Sequence, residues 1–146
     1  MAEPIGKRSV PMTVESIMTK HMVTVGMDDT LKRVREIFQQ HRFHHLLVVS
    51  GHRLMGVISD RDLLKAISPY VGTFSETAHD LATLQKRAHQ IMTRKPITVS
   101  SEVTLQIAAE TLLKNNISCL PVTDEDGGII GILTWRDLMA ALLKNM

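Results

Sequence analysis

Gly56-Val57-Ile58-Ser59-Asp60-Arg61-Asp62-Leu63 returns 75 residues later as Gly131-Ile132-Leu133-Thr134-Trp135-Arg136-Asp137-Leu138. In both stretches an aliphatic run leads from a glycine to a hydroxyl residue, and a carboxylate follows three positions on. That is the signature of a strand handing over to a helix. The match extends outward. Ile17-Met18-Thr19 recurs as Ile91-Met92-Thr93, Thr24-Val25 as Thr98-Val99, Thr30-Leu31 as Thr104-Leu105, and Leu46 and Val48 as Leu120 and Val122, all at an offset of 74. One extra residue in the second copy's turn changes the offset. Of 47 aligned positions, 15 are identical, so the chain is two copies of one unit.

Each copy carries the same run of elements. Met22–Val25 reads as a short strand, and Asp28 or Asp29 is the expected cap of a helix running to about His41. Leu31, Val34, Ile37 and Phe38 line one face of that helix; Leu105, Ala108 and Leu112 do so in the second copy, with Ser100 or Ser101 as its cap. His45–Val49 and Leu54–Ile58 form a hairpin across Ser50-Gly51-His52-Arg53. Leu120–Thr123 and Ile129–Leu133 do the same across Asp124-Glu125-Asp126-Gly127-Gly128. Closing helices follow at Ser59–Ile67 and Thr134–Leu143. The fold class is therefore α/β, built from β-α-β-β-α units. A sheet covered by helices on one face needs a partner for the other, so a pseudo-twofold pair of units is expected. The predicted organisation is a tail over 1–13, repeat 1 over 14–67, an insert over 68–87 and repeat 2 over 88–143. The insert contains a helical-looking run, Glu76–Gln90, and lacks the Gly/Ser richness of a flexible spacer.

Composition narrows the function classes. The chain has 146 residues, 44% hydrophobic and 22% charged, the balance of a globular domain. Only 3% of residues are aromatic while 9 are Met, so an aliphatic, adaptable core is expected. A net charge of +2 without a clustered basic stripe argues against a general nucleic-acid binder. The single cysteine, Cys119, excludes an internal disulfide. The start has no secretory apolar region and the apolar runs are far too short to span a bilayer, so a cytoplasmic protein without membrane attachment is expected. P-loop, G-x-G-x-x-G, C-x-x-C and H-E-x-x-H patterns are absent.

The repeated Ser/Thr-x-Arg-Asp segment admits two readings. Ser59 with Asp62, and Thr134 with Asp137, can form capping boxes that serve only their own helices. The same groups can also meet a sugar phosphate: a carboxylate accepts from a ribose diol, a hydroxyl bonds ribose or phosphate, and Arg pairs with phosphate oxygens. Recurrence of the whole set in both copies favours giving weight to the second reading.

The doubled unit resembles the cystathionine-β-synthase-type (CBS) domain pair, or Bateman module. The resemblance rests on Ile91-Met92-Thr93…Pro96-Ile97-Thr98-Val99, on Leu120-Pro121-Val122-Thr123-Asp124 and on Gly131…Thr134…Asp137-Leu138, and it covers about residues 14–143. Repeat 1 departs from the pattern at Leu47, where Pro is usual, and at Ser50-Gly51, where the turn is usually acidic. The resemblance implies a cleft between the repeats for an adenine nucleotide (AMP, ADP or ATP) as regulatory ligand. It implies one site from Val23, Phe43, His44, His45, Ile132, Thr134, Arg136 and Asp137. It implies another from Ile97, Ile117, Ser118, Cys119, Val57, Ser59, Arg61 and Asp62. His44 and His45 add donors that Ser118 and Cys119 supply poorly, so the first site is expected to bind more tightly. It also implies a homodimer, with an effector protein as a further partner.

Other readings accompany this one. His41, His44 and His45 invite zinc, but they straddle a helix end and a strand start and are expected to diverge, so no metal is expected. Cys119 reads as a small buried hydrophobe, Trp135 as edge packing and Lys86-Arg87 as a solvated pair. Catalysis is not expected, because no nucleophile–base spacing is visible. The alternatives are a structural dimerisation or interaction protein with unoccupied clefts, or a binder of S-adenosylmethionine or NAD.

Overall fold

A computed structural model of the chain describes residues 12–146, and its contacts gather into two compact units. The repeat-1 unit comprises His21–Pro96 with Asp126–Ile129; the repeat-2 unit takes 12–20, Ile97–Glu125 and Ile130–Met146. The contact units thus cut across the sequence repeats. Ile17-Met18-Thr19 belongs to the repeat-2 unit, and Ile91-Met92-Thr93 to the repeat-1 unit.

In the repeat-1 unit, β1 (Thr24–Gly26), β2 (His45–Ser50), β3 (Arg53–Ser59) and β4 (Thr93–Arg94) form one sheet in the order β1-β2-β3-β4. β1 and β2 are parallel, so a crossover must join them, and α1 (Leu31–Gln40) is that crossover. Its Leu31, Val34 and Ile37 are buried against Val25, Leu46, Val48 and Ile58. Each contributes roughly 1.5–3 kcal/mol of apolar burial. Leu47 points to the opposite face and is buried as well, which is why β2 reads as an unbroken apolar run rather than an alternating one. α2 (Asp60–Ala66) follows β3 and turns Leu63 into the same core.

The repeat-2 unit has the same plan with less regular edges. β5 (Cys119–Thr123) pairs with β6 (Ile129–Thr134), flanked by α5 (Leu105–Asn115) and α6 (Trp135–Lys144). Single bridges stand where repeat 1 has strands: Val99 beside Val122, parallel, and Thr19 beside Ile132, antiparallel. Val14, Met18, Ala108, Leu112, Leu120, Val122 and Leu133 make the core. Asn116, at φ 52°, ends α5 by letting the Ile117 N–H turn back to the Leu112 carbonyl at 3.1 Å.

Three local expectations are corrected. The helix caps are Thr30 and Thr104, whose hydroxyls accept the Arg33 and Ile107 N–H groups at 3.3 Å each. Asp29 is unavailable as a cap because its carboxylate accepts the Gly26 N–H at 2.7 Å. The run Glu76–Gln90 is not one helix but α3 (Ala78–Ala82), a 3-10 turn at Thr83–Gln85 and α4 (Ala88–Ile91). Tertiary pairing breaks it: the Lys86 carbonyl accepts from Leu31 at 2.8 Å, and the Ala88 and His89 N–H groups go to Asp29 and Met27. The insert is nonetheless tied down, with Ser68 Oγ donating to Asp80 at 2.7 Å and its N–H to Thr83 Oγ1 at 3.0 Å. The expected tail lies mostly outside the described residues. Its last two, Met12 and Thr13, are fixed beside Leu105 and Thr104. No described helix is long and apolar enough to cross a membrane.

Candidate functional site

The helix that follows β3 starts on a complete capping box. Ser59 Oγ accepts the Asp62 N–H at 3.1 Å, and Asp62 Oδ2 accepts the Ser59 N–H at 2.9 Å. The local reading of this motif is therefore realised, yet it engages only one carboxylate oxygen: Oδ1 of Asp62 accepts nothing among the described residues. Arg61 is exposed and forms no ion pair among the described residues. The glycine of the motif is dictated by packing. A Cβ on Gly56 would lie 2.6 Å from Met92 Sδ and 2.8 Å from the Thr93 carbonyl oxygen, so β4 can lie this close only to glycine.

The first repeat's histidines gather at the same corner. His44 Nδ1 stands 2.8 Å from Asp60 Oδ2, while the Asp60 N–H donates to the His44 carbonyl at 3.0 Å. The His44 side chain holds the Asp60 carboxyl below its ordinary range. His45 is the register partner of Ser59, and burial pushes its imidazole pKa down from the usual value. His41 instead stacks on Phe43 with ring centroids 5.2 Å apart, and Phe43 meets Phe38 edge-on, so the three histidines are drawn to different partners. Val23 packs half-buried against this core and Val57 is buried. Asp60 was not among the sequence-predicted residues. Its counterpart in repeat 2 is Trp135, and that mismatch was the available signal.

In the repeat-2 unit the box is Thr134 and Asp137. Asp137 Oδ2 accepts the Thr134 N–H at 2.9 Å and the Thr134 hydroxyl at 3.2 Å. The other oxygen is also engaged: Thr19 Oγ1 donates to Asp137 Oδ1 at 3.1 Å. Thr19 is held there by backbone, exchanging both hydrogen bonds with Ile132 at 2.9 Å. A Cβ on Gly131 would approach Met18 Sδ to 2.5 Å, the counterpart of Met92 on Gly56. Arg136 is exposed without an ion pair among the described residues, and Trp135 packs half-buried against the unit's core. Ile97 is exposed, Ile117 packs on the same core, and Ser118 is exposed but partnered. Cys119 is buried, and burial pushes its thiol up to about 12, so it is a hydrophobe here rather than a nucleophile.

Chemically, each helix start offers a hydroxyl, an exposed guanidinium and a carboxylate. That set can accept from a diol and pair with phosphate. A depression of about 290 Å³ lined by Thr98, Ser100, Glu102, Thr123 and Asp124 includes none of the sequence-predicted site residues.

These features define a doubled α/β unit in which the second helix of each copy opens on a hydroxyl, an arginine and an aspartate. A profile of the CBS domain matches residues 14–69 and 88–144, and the chain belongs to that family. A CBS domain-containing protein of Dictyostelium discoideum is 32% identical over 133 residues, covering 90% of this chain and 91% of that protein. The homoserine O-acetyltransferase of Methanocorpusculum labreanum is 31% identical over 135 residues, covering 92% of this chain; the chain spans 25% of that enzyme's length. Among solved structures, the CBS domain pair of protein MJ0100, in complex with 5′-methylthioadenosine and S-adenosylmethionine, superposes with a TM-score of 0.77 at 26% identity. That match covers 94% of this chain and 100% of the other. CBSX2, a CBS-pair protein of Arabidopsis thaliana, in complex with AMP, gives 0.76 at 29% identity over 91% of this chain and 97% of its own.

Proposed function

We propose that the chain is a regulatory module that binds an adenine nucleotide and acts through the conformation it shares with a partner. The observation that carries this reading is the paired hydroxyl–Arg–Asp set, present in both repeats with guanidiniums that form no ion pair among the described residues. The solved relatives that hold AMP or S-adenosylmethionine support it. In this reading Asp62 and Asp137 accept from the ribose hydroxyls. Ser59, Thr134, Arg61, Arg136 and His44 meet the phosphates. Val23, Phe43, Ile97, Ile117 and Val57 offer apolar surface to the base, and His45, Ser118, Cys119 and Ile132 complete the surroundings. Binding changes the relative population of two conformations, and a second copy of the chain or an effector protein reads that shift. We place the module in the cytoplasm as a homodimer; the exposed Met139, Leu142 and Leu143 on α6 and Leu113 on α5 support self-association. Sedimentation of the purified chain as a monomer at micromolar concentration would remove the dimer from the proposal.

A thermal-shift panel with AMP, ADP, ATP, NAD and S-adenosylmethionine tests the ligand class. At 100 times its dissociation constant a true ligand adds about 2.7 kcal/mol of apparent stability. A flat response across the panel would instead favour a structural interaction protein.

A further inference from the structure

The two aspartates of the proposed nucleotide-binding groups differ in how much accepting capacity they have left. A carboxylate can accept about four hydrogen bonds. Among the described residues Asp62 accepts one, from the Ser59 N–H. Asp137 accepts three, two from Thr134 and one from the Thr19 hydroxyl, so both its oxygens are engaged. Thr19 is 118 residues away in sequence and comes from the opening segment of repeat 1.

We propose that the Thr19 hydroxyl is a displaceable cap on Asp137, so that Asp137 takes a ribose diol only by releasing the lead-in segment's side chain. This regulation rests on the function proposed above. Thr19 is exposed, so its hydroxyl finds water once released and the exchange is cheap. Its backbone bridge to Ile132 does not depend on the hydroxyl, so the side chain can rotate away without unpairing the strand. The consequence is an unequal pair of sites. Asp62 accepts a diol without displacement. Asp137 accepts one at a penalty, and on doing so frees a side chain of the Ile17-Met18-Thr19 segment. That ordering is opposite to the one expected from the extra histidines of repeat 1.

The test is calorimetry with AMP and S-adenosylmethionine on the full chain in an Asp62→Ala background, where only the Asp137 group remains. Thr19→Val should tighten the vicinal-diol ligands by about threefold to tenfold, the size of one modest exposed hydrogen bond. Thr19→Ser should leave affinity as it was. With 2′,3′-dideoxy-AMP as probe the gain should vanish. Thr19→Ala supplies a second hydroxyl-free variant should the valine disturb folding. Unchanged or weaker binding in both hydroxyl-free variants overturns the cap, as does an equal gain for the dideoxy probe. Failure of the wild-type chain to bind either diol ligand removes the nucleotide reading itself, and the cap with it.

Discussion

The starts of α2 and α6 are the same device in different surroundings. Both carry a hydroxyl–aspartate box with the bond from the box's first backbone N–H at 2.9 Å, and both sit after a glycine covered by a methionine thioether. What differs is the third neighbour. At α2 it is His44 on Asp60, a titratable pair beside the box; at α6 it is Thr19 on Asp137, inside the box itself. Equal motifs therefore do not imply equal sites, because a carboxylate's usefulness to a ligand depends on the lone pairs its own fold has left open.

The glycines offer the largest contrast. Gly56→Ala meets the Thr93 carbonyl at 2.8 Å in addition to Met92, and backbone cannot step aside as a side chain can. At Gly131→Ala the three nearest atoms all belong to the flexible Met18 side chain. In urea unfolding, Gly56→Ala should cost about 3 kcal/mol and Gly131→Ala about 1 kcal/mol, the range for overpacking a buried site. Equal costs would mean that β4 yields as easily as a thioether, and this part of the contrast would go.

The caps come next. Ser59→Ala and Thr134→Ala should each lower stability by about 1 kcal/mol, since each removes a box that satisfies a helix-start N–H. Asp137→Ala should cost slightly more than Asp62→Ala, because it also removes the bond donated by the Thr19 hydroxyl. Chemical denaturation of the four variants without ligand decides it; a larger loss for Asp62→Ala would show that the Thr19 bond contributes nothing in solution.

Much of this was legible in the sequence, and the exceptions share a cause. The repeat, the β-α-β-β-α order and the capping boxes are periodic or local signals, and residue spacing alone exposes them. The caps of α1 and α5 were also visible in principle, because Thr30-Leu31 recurs as Thr104-Leu105, whereas Asp28, Asp29, Ser100 and Ser101 lie too far upstream. What spacing does not encode is pairing across the chain. The break in Glu76–Gln90 comes from bonds to Leu31, Asp29 and Met27, and the Thr19–Asp137 contact joins residues from opposite ends. The His44–Asp60 pair depended on β2 and β3 being in a register that no single-position pattern announces.

Acidity provides the smallest test of the contrast, because only repeat 1 places a histidine at this strand start; Cys119 stands where His45 does. Burial depresses the folded-state pKa of His45 below its ordinary 6.5, so the unfolded chain takes up the proton first as pH falls. Stability contributed by the neutral ring is thus present above about 6.5 and is lost progressively below it. Asp60 adds to the loss only further down, through the carboxylate range, as its bond with His44 goes. Hydrogen exchange between pH 7 and 5.5 should show β2 and α2 opening before β5 and α6, and His45→Gln should flatten that difference. Uniform loosening of both units over that interval would show that the asymmetry at the two helix starts does not reach their stability.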